Sequence, residues 1–175
     1  MPPKDFSELS DEEAEAYFAS YTEAVPDRVA RLRREIGEEE LDLSPESLVA
    51  AWNWFLGRRE AERAEDGGVP GWYEPDPPEL AAQRLAPGVL SDIDLIAAYF
   101  ASVLLENVSG AEWVIGRLPK RMEYEAQNKP LVKLPEAGEA DPVGVVYSLA
   151  VRVGLLGGER DPNALRTAYD AWVVS

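Results

Sequence analysis

The chain has neither cysteine nor histidine and only two methionines among 175 residues. Without cysteine there is no disulfide, thiolate nucleophile or thiolate metal ligand. Without histidine the usual general base and the commonest transition-metal ligand are gone as well. The opening Met1-Pro2-Pro3-Lys4-Asp5 is not followed by an apolar segment, and no run of side chains approaches the roughly 18 apolar residues of a membrane span. The expectation is a cytoplasmic protein without membrane contact. The motifs Gly-x-x-x-x-Gly-Lys-Ser/Thr, Gly-x-Gly-x-x-Gly and Gly-x-Ser-x-Gly are absent too, and Val108-Ser109-Gly110 reads as a helix end.

Acidic charge is what the chain has in excess. Its formal net charge is −16, spread unevenly: residues 1–88 hold 21 acidic against 9 basic side chains, residues 89–175 only 12 against 8. Such a surface repels nucleic acid. It is read either as a device for solubility or as the complement of a basic protein partner. With 46% hydrophobic residues, five Trp and seven Tyr, the chain can bury a core, so one globular domain is expected over residues 1–175, with 1–9 flexible and no cofactor.

The hydrophobic pattern is organised around residues 90–113. Ser91 reads as an N-cap, with Asp94 in the first turn of a helix over 92–107. Leu95, Ile96, Tyr99, Phe100, Val103 and Leu104 follow at helical spacing, leaving Asp94, Ser102 and Glu106 as a narrow polar edge. Before it, Ser10 and Glu13 form a capping box for a helix carrying Ala14, Tyr17, Phe18 and Tyr21, which Pro26 ends. Asp27 caps a second helix, whose Arg28, Arg31, Arg33 and Arg34 suggest either phosphate binding or local pairing with Glu35 and Glu38, Glu39 and Glu40. Ser44-Pro45 opens a third, with Leu48, Val49, Trp52, Phe55 and Leu56 inward, running on to Gly67-Gly68.

Residues 67–79 form a Pro/Gly-rich loop carrying Trp72 and Tyr73, an aromatic pair that either contacts a partner or pins the loop to the core. A short helix is expected at 78–85. Three short strands, at 112–116, 122–126 and 131–134, make a small antiparallel sheet. Asp141-Pro142 and Asp161-Pro162 open the last two helices, the first with Val143, Val146, Tyr147, Ala150 and Val153 inward and ending at Gly157-Gly158, the second with Leu165, Tyr169 and Trp172 inward. The fold class is α+β, with about six helices and a three-stranded antiparallel sheet. Trp52, Trp113 and Trp172 are expected to be largely buried.

Two clusters could carry chemistry. Asp92, Asp94, Glu106, Glu112, Glu123 and Glu125 could supply an acid–base pair or a hard-metal site, although the helix N-terminus already accounts for Asp92 and Asp94. Arg117, Lys120, Arg121, Lys129 and Lys133 oppose only Glu123 and Glu125, which suits an anionic ligand, self-association, or lysines placed on edge strands against aggregation.

The run Tyr99-Phe100, Gly110, Glu112-Trp113-Val114, Tyr124, Gln127-Asn128-Lys129-Pro130-Leu131 and Asp141-Pro142 resembles a family of uncharacterised acidic actinobacterial proteins. The likeness covers about residues 44–173. As that family has no assigned reaction, cofactor or catalytic residues, it implies none here. The architecture is more distantly similar to bacterial immunity-type domains. Function is thus expected to be non-enzymatic, a protein-interaction, regulatory or immunity-like role with Trp72, Tyr73, Glu38, Glu39 and Glu40 as partner contacts and no catalytic, cofactor or metal residues. The alternative is a small carboxylate-based or metal-dependent hydrolase.

Overall fold

The computed structural model describes residues 5–58, 69–73, 85–118 and 126–174. Among the described residues, five α-helices and a three-stranded sheet make up an α+β domain. Helix α1 spans Asp11–Ile36 and α2 Ser47–Gly57; α3 is Pro87–Asn107; β1 (Glu112–Ile115), β2 (Pro130–Leu134) and β3 (Gly138–Ala140) follow; α4 is Pro142–Gly154 and α5 Ala164–Val173.

Helix α3 lies at the centre, touched by α1, α2, α4 and β2. Its alanines allow this, because Ala97, Ala98 and Ala101 are fully buried beside Tyr99, Phe100, Val103 and Leu104 and let neighbours approach on every side. By length and composition α3 is apolar enough to cross a membrane, contrary to the count of apolar runs above. However, 72% of its most apolar window is buried inside the protein, as the role of core helix requires. It begins four residues earlier than Ser91, with Pro87 in the first turn. Asp92 and Asp94 therefore lie along the helix, where Arg58 Nε meets Asp92 at 3.3 Å and Arg28 Nε meets Asp94 at 2.5 Å.

The capping box at Ser10 and Glu13 is present, with Glu13 N–H donating to Ser10 Oγ at 3.2 Å and Ser10 N–H to Glu13 Oε2 at 2.9 Å. Pro26, however, does not end the helix: the two helices expected on either side of it are one, α1. Val25 and Val29 are buried against the core while Pro26 faces outward. Packing of one apolar stripe thus outweighs the lost hydrogen bond. The arginines pair differently from expectation as well. Arg28 reaches Asp94, Arg33 Nε donates to the Leu41 carbonyl at 2.9 Å, and among the described residues no ion pair joins them to Glu35 or to Glu38, Glu39 and Glu40.

Ser44-Pro45 does not open the helix as expected. Ser44 Oγ accepts from Ser47 N–H at 3.3 Å in the turn that precedes α2, but the helix itself begins at Ser47, with Glu46 as its N-cap residue and no side-chain cap. Helix α2 stops at Gly57, and Arg58 is already extended. The expected continuation to Gly68 and, apart from Leu85, which is in no helix, the short helix expected at 78–85 lie outside the described residues. Asp141 caps α4 by accepting from Gly144 N–H at 2.9 Å, and that helix ends at Gly154, short of Gly157. In the sheet, β1 pairs with β2 (Trp113 opposite Val132) and β2 with β3 (Val132 opposite Ala140), both antiparallel. The third strand is thus 138–140. Of the segment expected at 122–126, residues 122–125 lie outside the described residues and Ala126 is in a turn. Gly138-Glu139-Ala140 has no β-favouring side chain, and pairing with β2 alone makes it a strand. Trp52 is fully buried, whereas Trp113 and Trp172 are only half-buried, because β1 and α5 lie at the periphery.

Candidate functional site

Six aromatic rings surround a cavity of about 200 Å³ between α1, the 69–73 segment, the start of β2 and the start of α4. Tyr17 and Tyr21, one helical turn apart, form the α1 wall with their rings stacked at 6.0 Å. Phe6 closes one side edge-on to Tyr17 at 5.0 Å. Residues 5–9, expected to be flexible, hold it there: Phe6–Glu8 is a short 3-10 turn, and Phe6 is buried. Asn128 fixes this strap, its Nδ2 donating to the Phe6 carbonyl at 2.7 Å and to the Leu9 carbonyl at 3.2 Å. The left-handed backbone of Asn128 (φ 64°) turns that side chain inward.

The opposite wall is Trp72, Tyr73 and Tyr147. Trp72 stands edge-on to both Tyr73 (6.4 Å) and Tyr147 (6.1 Å), and its indole N–H donates to Asp94 Oδ1 at 2.9 Å. The loop comes this close because residue 71 is glycine: a Cβ there would lie 3.3 Å from the Tyr17 ring. Tyr73 is buried and Trp72 half-buried, so the pair is pinned to the core and also lines the cavity. At the α4 end stand Asp141, Val143 and Gly144. Glycine at 144 leaves room for the cap, since a Cβ would sit 2.6 Å from Asp141 Oδ2.

The polar groups of this cavity are few and distinctive. Tyr21 is 5% exposed, and its hydroxyl has no hydrogen-bond partner among the described residues, nor has Arg28 Nη1. Burial, reinforced by the charge of Asp94, pushes the Tyr21 phenol well above its ordinary pKa, and the same causes raise Tyr17, so both remain protonated donors. Arg28 stacks over the Tyr21 ring at 5.1 Å while paired with Asp94. Lys129 and Asp141 line the cavity with opposite charges. Neither has a salt-bridge partner among the described residues; Lys129 Nζ lies 6.0 Å from the Phe6 ring centroid.

The other sequence candidates are dispersed. Glu38, Glu39 and Glu40 are exposed in the turn after α1, and Glu39, Glu40, Asp42 and Glu46 rim an open concavity. Of the proposed carboxylate cluster, Asp92 and Asp94 are held by arginines, and no group of three acidic side chains converges among the described residues. The basic set is divided. Arg117 bonds Asp11 (2.8 Å) and Asn128, and Lys133 stands on the central strand, not an edge, in register with Glu112 and Glu139. Lys120, Arg121, Glu123 and Glu125 lie outside the described residues. Sequence reasoning assigned Tyr17, Tyr21 and Tyr147 to the core and Asp141 to a helix cap. Their convergence has no local signal, because the cavity draws on five separate segments. No protein-family model matches the chain, and no curated protein and no solved structure was found to be similar to it.

Proposed function

We propose that this protein is a non-enzymatic binding module of regulatory kind, and that its binding site is the aromatic cavity, which takes a small ligand with a flat apolar body. The observation that carries this reading is a cavity of about 200 Å³ walled by six aromatic rings and edged by the opposite charges of Lys129 and Asp141. A hollow lined mainly by aromatic side chains, with a few polar groups that can orient a ligand, has the character of a small-molecule site. Asp92 and Asp94, the two helix carboxylates on which a hydrolase would depend, are occupied in ion pairs, which favours binding over catalysis. Saturation-transfer NMR with a panel of small aromatic compounds tests the proposal: they should bind the native chain and not Val143→Phe, which fills the cavity. No binding, or equal binding to both, would contradict it.

A second reading has its own observation. The exposed Glu38, Glu39 and Glu40 beside Asp42 and Glu46 form an acidic rim, suited to a basic protein partner. Reversing the three glutamates to lysine should slow association and leave the fold intact. An unchanged set of partners in low-salt pull-downs would exclude it.

A further inference from the structure

Resting on the cavity reading, we infer that the natural ligand is a small zwitterion with an aromatic body, its ammonium group facing Asp141 and its carboxylate facing Lys129. The two charges line one cavity and no ion pair joins them among the described residues; Asp5 lies near enough to Lys129 for its carboxyl to feel that charge, but the two form no salt bridge. In the same protein Arg28, Arg58, Arg117 and Arg166 all find carboxylates. Asp141 spends one oxygen on the N-cap, with Oδ1 accepting from Gly144 N–H, which fixes the carboxylate at the cavity's edge and leaves Oδ2 without a partner among the described residues. Lys129 is placed as firmly, because its backbone is tied on both sides, Lys129 N–H donating to the Ala126 carbonyl at 3.1 Å and the Gly116 N–H to the Lys129 carbonyl at 2.9 Å.

The remaining walls are rings, so the body of the ligand must be apolar and flat. A purely cationic ligand would fill the cage by cation–π contact but would meet the lysine, and a purely anionic one would meet Asp141. Only a molecule carrying both charges satisfies both ends. A free aromatic α-amino acid has this chemistry and fits the volume.

Calorimetry on the full chain with L-phenylalanine, 2-phenylethylamine and 3-phenylpropionate tests the assignment. L-Phenylalanine should bind most tightly, and each analogue, lacking one charge, should bind about tenfold or more weakly, as the loss of one charge-assisted hydrogen bond implies. Asp141→Asn keeps a capping side chain and should abolish the preference for L-phenylalanine over 3-phenylpropionate. Lys129→Gln should abolish the preference over 2-phenylethylamine. If an analogue binds as tightly as L-phenylalanine, or if both variants keep the native order, the zwitterion assignment falls while the cavity reading stands. If none of the three binds, and the wider aromatic panel fails too, both fall.

Discussion

At the scale of single residues the most informative group is the Tyr21 phenol. Because its hydroxyl is buried without a partner, Tyr21→Phe should leave stability at neutral pH unchanged or slightly raised, whereas loss of a satisfied hydrogen bond would cost about 1 kcal/mol. Its pH behaviour has a definite sign. A phenol whose folded pKa is raised above the ordinary 10.0 binds its proton more tightly in the native state, so its contribution is fully present below pH 10 and is lost as pH rises further. Tyr17, Tyr99 and Tyr169 are raised by burial as well. Urea midpoints should therefore hold level up to about pH 10 and fall above it, with a slope of about 1.4 kcal/mol per pH unit for each phenol kept protonated. In Tyr21→Phe the fall should be shallower by one such group. An identical alkaline slope in the native chain and the variant would show that Tyr21 is not held protonated. Tyr99 shows how a single hydroxyl can fix a loop. It meets Ser47 Oγ at 2.6 Å and accepts from the Leu43 N–H at 3.0 Å, holding Leu43 in a left-handed conformation (φ 66°) that leucine rarely adopts.

At the scale of elements, Pro26 sits on the outer face of a continuous 26-residue helix. Pro26→Ala restores a backbone donor to the Thr22 carbonyl and should stabilise the protein by about 1–2 kcal/mol, the helix-interior cost of proline less its entropic effect on the unfolded chain. A loss of stability in chemical denaturation would mean that the proline itself is needed for packing. This position also marks what the sequence could and could not reveal. Local signals that depend on neighbours were legible: the Ser10–Glu13 box, the Asp141 cap, the burial of α3 and the strands at β1 and β2. Features decided by distant contacts were not. Pro26 read as a stop because its neighbours say so, yet Val25 and Val29 are gripped by the core; Gly138–Ala140 carries no strand signal of its own, yet β2 recruits it as a strand. Of the cavity, Trp72 and Tyr73 were legible because aromatic rings in a Pro/Gly-rich loop stand out. Tyr17, Tyr21 and Tyr147 have the same spacing as ordinary core residues, and only tertiary packing separates a ring that fills the core from one that lines a hole.

At the scale of the molecule, the helical core holds together two surfaces of opposite character, an acidic rim after α1 and a ring-lined cavity towards the other end of that helix. The acidic side should govern encounter rates and lose its influence as salt shortens the screening length to about 10 Å at 0.1 M. The cavity should govern affinity for a small ligand, since its rings and its unpaired polar groups are already in place. The measurement that bears most directly on this account is a two-dimensional amide NMR titration of the full chain with L-phenylalanine, following the indole N–H signals of Trp72 and Trp52. Trp72 lines the cavity and donates to Asp94, whereas Trp52 is buried away from it and donates to the Asp161 carbonyl at 3.1 Å. The Trp72 indole and the Gly144 amide should shift together along one saturation curve while Trp52 stays fixed, and Val143→Phe should abolish both shifts. Saturable binding that leaves Trp72 and Gly144 unmoved, or no binding at all, would contradict the account.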